Sequence, residues 1–507
     1  MSQARRQLCP LVGDQCQQKA AAACGAQPPR RRQQLIDSQI IPLKINACEP
    51  IHLQVHQRRR EPLIIRDRLG CSSQVGDDAV APLQSNPFAG RVVARADFAS
   101  LHGIISVCPS RVGKQNILVI PHLESQFQQK IIPMKVEFYG HVRQYRNIQK
   151  EIDANLQQVL LSGQYVMGPM LKRFEEELAR YHGMKYAVGV GNGTDAIWLT
   201  LMALGIGPGD EIITHPNTFF ATAEAIWIAG ATPVFVDCDS RTKCIDPAKI
   251  EAAITPKTRA IVPVHLYGQC ADMLAIKKIA AKHKLRLIED NAQGIGAHGD
   301  GFKVGELSDA ATISFIIQKN LGCFGDGGAL VTNNAEIDAR VRKLRNHGSN
   351  ARNVHSYGFN SRLDDLHAGV LSAKLKHIDA WNDLRRKWAA RYSAGLKGCR
   401  NLDLPVELIG YRHVFHLFVV ETKKPGQREP LLKFLNDGGI DAKTHYSIAI
   451  HQQAGYPWGK GGRIAGPLTN AEHNAACCIS LPMFPELTAE EVDYVIAKVQ
   501  EWDGSQG

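Results

Sequence analysis

The feature that most constrains this chain is the regular alternation of short apolar runs with helical segments after Met134. Residues 187–190 predict a strand, Gly191-Asn192-Gly193 a tight turn, and residues 195–204 a helix with an apolar face. Further strands are predicted at 211–214, 233–236, 260–264, 285–288, 311–315 and 329–332. Helices are predicted among them at 221–229, 247–253 and 274–283. This alternation predicts an α/β fold with a mostly parallel sheet covered by helices.

A smaller second domain is predicted to follow. From about Ser372 the pattern becomes helical, then a strand is predicted at 416–421 and helices near 430–435 and 489–502. We therefore divide the chain after residue 133 into a large domain at 134–380, which begins with a helical segment, and a small α+β domain at 381–507.

The first 133 residues differ in composition from the rest. They hold 17 basic and 9 acidic residues, so +8 of the net charge of +11 lies here and +3 on the remaining 374 residues. They contain no Trp or Tyr and show no sustained period, so we expect no packed core. Three interpretations stay open: a disordered basic arm for acidic partners, a transit peptide, or translated sequence upstream of a true start at Met134. The change of composition at Met134 favours the third, and the early Asp14 and scarce Ser speak against transit.

Cysteine usage and hydropathy exclude several classes of protein. The 13 cysteines form no Cys-x-x-Cys pair, and so long a chain does not depend on disulfides, so we expect free thiols in a reducing cytoplasm and no metal site. The chain has no run of about 18 apolar residues and no secretory signal in its first thirty residues. We therefore expect neither a membrane span nor export.

Polar segments follow several predicted strands, where open α/β sheets bind ligands. The turn before Thr194 could bind an anion at a helix N-terminus, or it could be only a turn. Asp290 could cap a helix, bind a metal or pair with a protonated heterocyclic nitrogen, and no nearby His or acidic cluster supports the metal. Lys319 could be desolvated and available for Schiff-base chemistry, or be an ordinary surface charge. Residues 358–364 by themselves predict only a helix cap.

Together these segments resemble the DegT/DnrJ/EryC1/StrS family of sugar aminotransferases, which are pyridoxal-phosphate enzymes of the aspartate-aminotransferase fold, fold type I. The resemblance spans about residues 139–502 and leaves out residues 1–133. The matching phrases are, in order, GNGTDAIWLTLMALGIGPGDEIIT, GATPVFVDCD, IDPAKIEAAITPKTRAIVPVHLYGQCADM, IEDNAQ, SFIIQKNLGCFGDGGALVTNN, LRNHG, GFNSRLDDLHAGVL and LPMFPEL. The resemblance implies that an amino group passes from L-glutamate to the cofactor, giving pyridoxamine phosphate, and then to a nucleotide-linked keto-sugar.

Position by position, the resemblance implies catalytic roles for two residues. Lys319 would bond covalently to pyridoxal 5'-phosphate and, once released, move a proton. Asp290 would pair with the protonated pyridine nitrogen, and Gln293 would hydrogen-bond the 3′ oxygen of the ring. Lysine at position 319 also favours transamination, because related sugar dehydratases carry histidine there.

The resemblance implies further contacts around the cofactor and the sugar. Phe219 would stack on the pyridine ring. Asn360 would reach the phosphate from a neighbouring subunit, which implies a homodimer with shared sites. His445 and Tyr446 would line the sugar pocket, or be packing residues. The residues implied in binding the phosphate from the same chain are Gly193, Thr194 and Ser314.

The position of the amination on the sugar is also indicated. Residues 163–169 and 217–219 look closer to members that aminate C3 than to members that aminate C4. Asn291 and His367 depart from the commonest pattern, where alanine and glutamine are frequent, and they leave the orientation of the substrate open.

Two other classes of function compete with the enzyme. A binding protein for nucleic acid or acidic partners is supported only by the basic first segment, whose arginines have no interleaved aromatic residues for base stacking. A regulatory protein could use the same fold without catalysis. Such a protein would have no need of Lys319, so the complete set of cofactor residues favours the enzyme.

Overall fold

The computed structural model describes residues 41–43, 51–53, 63–66, 72–75, 134–349, 351–455 and 462–506. The chain divides into two compact units, Met1–Ile131 and Ile132–Gly507. The described strands of the first unit are β1 (Ile41–Leu43), β2 (Ile51–Leu53), β3 (Leu63–Arg66) and β4 (Ser72–Val75). They pair antiparallel, β1 with β2 and β3 with β4. The rest of residues 1–133 lies outside the described residues, so the interpretations of that segment stay predictions.

The second unit contains the elements predicted from the sequence. Its helices are α1 (His141–Asn147), α2 (Gln149–Ser162), α3 (Pro169–His182), α4 (Gly193–Ala203), α5 (Ala221–Ile228), α6 (Pro247–Ile250), α7 (Met273–His283), α8 (Ala335–Leu344), α9 (Asp365–Leu375), α10 (Ile378–Leu396), α11 (Arg428–Asp437), α12 (Thr469–Cys477) and α13 (Ala489–Ser505). Its strands are β5 (Tyr186–Val190), β6 (Glu211–Thr214), β7 (Thr232–Phe235), β8 (Thr258–Ile261), β9 (Arg286–Asp290), β10 (His298–Gly299), β11 (Phe302–Lys303), β12 (Ala310–Ser314), β13 (Gly328–Thr332), β14 (Leu402–Asp403), β15 (Phe418–Thr422), β16 (Arg463–Ile464) and β17 (Cys478–Leu481). The predicted helix at 247–253 is wrong in its last turn, because Glu251–Ala253 forms a 3-10 turn.

Eight strands form one sheet in the order β16-β7-β6-β8-β9-β12-β13-β5. Seven strands run parallel and β13 runs against them, which confirms the predicted mostly parallel sheet. Every residue of β6 and β13 is buried, as expected for strands with helices on both faces. The carboxyl ends of β5, β9 and β12 and the start of β13 therefore meet at one edge of the sheet.

The edge strand β5 is held by a buried ion network. Glu175 of α3 accepts hydrogen bonds from the Gly189 amide (2.8 Å) and from Arg345 Nη1 (2.5 Å), and Arg345 also donates to the Gly189 carbonyl (2.6 Å). Arg342 donates to Glu175 (2.7 Å) and to the Ala187 carbonyl (2.8 Å). These bonds attach α3 and α8 to β5, so the turn that follows β5 begins from a fixed position.

A second sheet, with the antiparallel order β14-β15-β17, lies in the C-terminal part of the unit. Its core includes Trp388, Tyr392 and Phe418. The predicted division at residue 380 falls inside α10, whose Trp381 packs in the core of the large sheet while Trp388 packs in the second core. The division into two domains stays a prediction. Within the described residues, no helix has the length and apolar content that a membrane crossing requires.

Candidate active site

A glycine turn follows β5 and leads into α4. Asn192 Oδ1 accepts a hydrogen bond from the Asp195 amide (2.8 Å) and so caps the helix. A Cβ atom added at Gly193 would lie 2.6 Å from Ser314 Cβ, and one at Gly328 would lie 2.2 Å from the Asn192 carbonyl oxygen. Only glycine, which has no side chain, fits at these two positions. The close approach brings the first turn of α4 against Ser314 at the end of β12.

This turn has the properties of an anion site. The amides of Gly193 and Thr194 belong to the first turn of α4, where N–H groups lack partners within the helix and the helix dipole is positive. Ser361 holds the turn from outside: its hydroxyl accepts from the Gly191 amide (3.0 Å) and donates to Asp195 (2.6 Å). The structure thus brings together three of the predicted phosphate-binding residues, Gly193, Thr194 and Ser314.

Asp290 ends β9 with only 4% of its surface exposed. Its Oδ1 accepts from the Ala292 amide (3.1 Å) and its Oδ2 from the Thr222 hydroxyl (2.8 Å), which lies 3.2 Å from the Thr218 hydroxyl. Burial raises the pKa of this carboxyl group, while the two hydrogen bonds and the charge of Lys319 act in the opposite direction. The site therefore contains a buried carboxyl group that two hydrogen bonds hold in place. The oppositely charged group that acts on it is the ammonium of Lys319.

Lys319 lies in the segment between β12 and β13. Burial lowers the pKa of its ammonium group to about 8, and the Asp290 carboxylate opposes this shift. The sequence left open whether this lysine is desolvated; its side chain is half-buried, and the lowered pKa favours the desolvated alternative. At that pKa roughly a tenth of the lysine is neutral amine at pH 7, whereas an ordinary lysine is almost wholly protonated. Its Nζ hydrogen-bonds no side chain or carbonyl in the described part of the chain.

Gln293 and Tyr446 meet on another side of the site. The side-chain oxygen Oε1 of Gln293 accepts a hydrogen bond from the backbone amide of Tyr267 (2.7 Å), and its Nε2 donates to the Tyr446 hydroxyl (3.0 Å). The ring of Phe219, which is 55% exposed, lies 5.6 Å from the Tyr446 ring at an angle of 41°. Burial raises the pKa of the Tyr446 phenol well above its usual value, so the hydroxyl keeps its proton.

His445 adjoins this group. Its Nδ1 lies 2.8 Å from the Ser480 hydroxyl, and its ring stacks on Phe138 at 5.6 Å. Burial first, and then the charges of Lys319 and Lys443, lower the pKa of His445 to about 4. The imidazole is therefore neutral at pH 7, and because Ser480 engages Nδ1, one ring nitrogen remains for another partner.

Asn360 does not join the other predicted residues. It forms an isolated bridge with Asn346, and its exposed side chain makes no hydrogen bond to the described residues.

The sequence prediction missed three residues that support the site. Thr222 donates a hydrogen bond to Asp290. It follows Phe219 by three residues at the start of α5, and this spacing is the local sequence signal from which it could be predicted. His265 and Glu289 form a fully buried pair (2.7 Å) behind Asp290, and the His265 amide donates to the Asp290 carbonyl (3.0 Å). No local pattern marks this pair. In the described ranges no group of three acidic, His or Cys residues could hold a metal ion.

Comparison with known proteins identifies relatives over most of the second unit. The model of the DegT/DnrJ/EryC1/StrS aminotransferase family matches residues 146–500. A pleiotropic regulatory protein of Geobacillus stearothermophilus is 46% identical, with 73% of this chain and 99% of that protein covered. A dTDP-3-amino-3,4,6-trideoxy-alpha-D-glucose transaminase of Streptomyces venezuelae is 43% identical, with 73% and 96% covered.

A sugar aminotransferase and a solved structure extend the comparison. A UDP-N-acetyl-3-dehydro-alpha-D-glucosamine 3-aminotransferase of Acidithiobacillus ferrooxidans is 44% identical, with 72% of this chain and 96% of that protein covered. The crystal structure of NtdA from Bacillus subtilis with bound pyridoxamine phosphate superposes with a TM-score of 0.67 at 35% identity, covering 73% of this chain and 85% of that one.

The ionisation of Lys319 can be measured in the protein without cofactor. Pulse reductive methylation followed by mass spectrometry should give a labelling rate for Lys319 that rises with pH around about 8. In Asp290→Asn the rise should move to lower pH, because the lost carboxylate had stabilised the ammonium form. The exposed Lys433 serves as internal standard in each sample. An unchanged midpoint in the variant would contradict the pairing of Asp290 with Lys319.

Proposed function

Because this chain belongs to the DegT/DnrJ/EryC1/StrS aminotransferase family and is a pyridoxal-phosphate-dependent sugar aminotransferase, we propose that its donor is L-glutamate. We further propose that its acceptor is a nucleotide-linked sugar with a ketone at C3. The observation that carries the proposal is the half-buried amine of Lys319, with its lowered pKa, within the field of the buried carboxylate of Asp290, at the sheet edge where the Gly193 turn can hold a phosphate.

The residues at this edge fit pyridoxal phosphate. The contact of Gly193 with Ser314 leaves bare backbone amides and a hydroxyl for the phosphate. Asp290, fixed by Thr222, supplies a carboxylate for a protonated ring nitrogen. Gln293 Nε2 has two hydrogens; one goes to Tyr446, so the other is available for the 3′ oxygen of the ring. The exposed face of Phe219 can cover the ring.

When bound, the cofactor supplies an electron sink for the carbanion that forms beside its ring. In our proposal Asp290 keeps the proton on the ring nitrogen, which that sink requires. Lys319 would hold the cofactor through its ε-amino group and, once released, would serve as the general base and acid that accepts and returns the proton at its Nζ. Its lowered pKa supports this role, because the amine can accept the proton near neutral pH.

Three observations support the proposed acceptor. The relatives from Streptomyces venezuelae and Acidithiobacillus ferrooxidans are named for amino groups at position 3 of their sugars. Residues 163–169 and 217–219 resemble members that act on C3. Tyr446 contacts Gln293 and Phe219, and His445 packs on Tyr446; both are neutral, and we propose that they bind sugar hydroxyls.

We also propose a homodimer in which Asn360 completes the site of the partner subunit. The exposure of Asn360, whose side chain makes no hydrogen bond to the described residues, supports this arrangement. The cytoplasm is the proposed compartment, because all seven cysteines in the described ranges are free thiols.

A regulatory function is the alternative, because the relative from Geobacillus stearothermophilus is named a pleiotropic regulatory protein. A regulatory protein that performs no chemistry would not need a lysine whose pKa is lowered as that of Lys319 is. Turnover with amino donor and keto-sugar therefore separates the two functions.

The donor half-reaction gives the most direct test. With pyridoxal phosphate the wild-type protein should be yellow, and L-glutamate should bleach it while one equivalent of 2-oxoglutarate per site is released. Lys319→Ala should lose turnover yet still bind pyridoxamine phosphate, because the phosphate and ring contacts remain. Lys433→Ala, an exposed lysine of α11, is the control and should behave as the wild type. Full activity of Lys319→Ala would refute the assignment.

The acceptor half-reaction tests the position of amination. Protein loaded with pyridoxamine phosphate should turn yellow on mixing with a nucleotide-linked 3-keto-sugar, and much more slowly with the 4-keto isomer. Stopped-flow absorbance measures both rates under single-turnover conditions. A faster reaction with the 4-keto isomer would overturn the preference for C3 and leave transamination itself untouched.

Subunit mixing tests the shared site. Lys319→Ala and Asn360→Ala homodimers should each have little activity. In a hybrid dimer one site carries both substitutions and the other carries neither, so mixed and re-equilibrated subunits should regain activity. Two portions of the same variant mixed together are the control. Activity of the mixture equal to the sum of the separate variants would contradict the proposed role of Asn360.

A further inference from the structure

Tyr267 lies in the short 3-10 turn Leu266–Gly268, which follows β8, and only 4% of its surface is exposed. Its backbone has φ at 59°, in the left-handed region that residues with a side chain adopt at a cost in energy. Such a conformation persists where the surrounding contacts impose it. Here the carbonyl of Tyr267 accepts from the Leu417 amide (3.3 Å), while its amide and its phenol bind two different parts of the candidate site.

The backbone amide of Tyr267 determines how the Gln293 side chain is oriented. The amide donates to Gln293 Oε1 (2.7 Å), and since an N–H group only donates, the oxygen of Gln293 must face it. Nε2 of Gln293 therefore faces the Tyr446 hydroxyl and donates to its oxygen (3.0 Å). Because that oxygen accepts, the phenolic hydrogen of Tyr446 is left for another partner, and no acceptor among the described residues takes it.

The phenol of Tyr267 holds the chain segment that carries Tyr446. Its hydroxyl donates to the carbonyl of His445, the residue before Tyr446, and lies 3.2 Å from Asn474 Oδ1. The carbonyl of Tyr446 itself accepts from the Cys478 thiol (3.7 Å). The two peptide groups that flank the Cα atom of Tyr446 are therefore both held by buried side chains.

We propose that Tyr267 is a positioning residue that directs the phenolic hydrogen of Tyr446 at an oxygen of the keto-sugar. Its amide sets the direction of that hydrogen through Gln293, and its phenol sets the place of the Tyr446 ring through the His445 carbonyl. A ligand oxygen that accepts a hydrogen bond fits this arrangement, whereas a group that only donates, such as an ammonium, does not. The inference rests on the function proposed for Tyr446 as a sugar-binding residue.

Tyr267→Phe isolates the phenol, because the backbone amide and its bond to Gln293 remain. The acceptor half-reaction is followed by stopped-flow absorbance with pyridoxamine-phosphate enzyme and a nucleotide-linked 3-keto-sugar. We expect this variant to need about fivefold to tenfold more sugar for half of its maximal rate, the effect of one lost hydrogen bond. The donor half-reaction with L-glutamate should keep the wild-type rate, because Lys319 and Asp290 keep their surroundings.

Tyr392→Phe is the matched control. The hydroxyl of Tyr392 also donates to a backbone carbonyl, that of Pro482 (3.0 Å), and its side chain is fully buried in the core of the second sheet. Both variants lose one phenol-to-carbonyl hydrogen bond, so their thermal unfolding midpoints should fall by similar amounts. Only Tyr267→Phe should need more sugar. An equal effect in Tyr392→Phe would show that lost stability is the cause and would overturn the positioning role.

A double-mutant cycle shows whether Tyr267 acts through Tyr446. If it does, Tyr267→Phe should weaken sugar binding when Tyr446 is present and add little in the Tyr446→Phe background. Additive effects of the two substitutions on the acceptor half-reaction would contradict the proposal.

Hydrogen exchange measured by mass spectrometry gives a readout that needs no substrate. In the protein loaded with pyridoxamine phosphate, the amides of residues 444–449 should exchange faster in Tyr267→Phe than in the wild type or in Tyr392→Phe. Unchanged exchange in Tyr267→Phe would overturn the inferred hold on this segment. A wild-type enzyme that does not transaminate would refute the proposed function instead, while the exchange rates would still test the positioning.

Discussion

The desolvation of the buried Asp290 carboxyl group and of the half-buried Lys319 ammonium group at one sheet edge sets the chemistry of this protein. Burial pushes both groups towards their neutral forms, and their mutual attraction pushes both towards the charged forms. The hydrogen bonds from Thr222 and Ala292 favour the carboxylate, whereas Lys319 has no comparable partner. The acid is thereby stabilised in its charged form, and the lysine can lose its proton near neutral pH.

The rest of the fold keeps this pair in place. Behind Asp290, the buried His265–Glu289 pair is itself tied to the Gly305 amide (2.8 Å) and to Ser308 (2.5 Å). On the lysine side, α10 holds Asn320 through Asn382 and packs in both hydrophobic cores. A shift of the small sheet relative to the large one would therefore move the segment that carries Lys319, so the two sheets are mechanically coupled at the site.

The sequence predicts the elements well because their signals are local. The signals for the strand, the glycine turn and the helix around Gly193 each extend over only a few residues. The structure has these elements where the pattern predicts them. The contacts that tune the site are distant in sequence: Thr222 and Asp290 are 68 residues apart, Gln293 and Tyr446 are 153, and Tyr267 and His445 are 178. Local periodicity carries no information on such pairs, which depend on strand order and on how the second sheet packs. The family resemblance supplied Lys319 and Asp290, but it did not supply Thr222 or Tyr267.

The charge of the histidines around the lysine follows from the same constraint. His416 is buried and His445 is half-buried; the charge of Lys319 acts on both, and Arg385 and Lys443 add further positive charge. Protonating either ring would place another cation in a desolvated, already positive region, so both stay neutral. A neutral imidazole can donate from one nitrogen and accept at the other, which suits the hydroxyls of the proposed sugar.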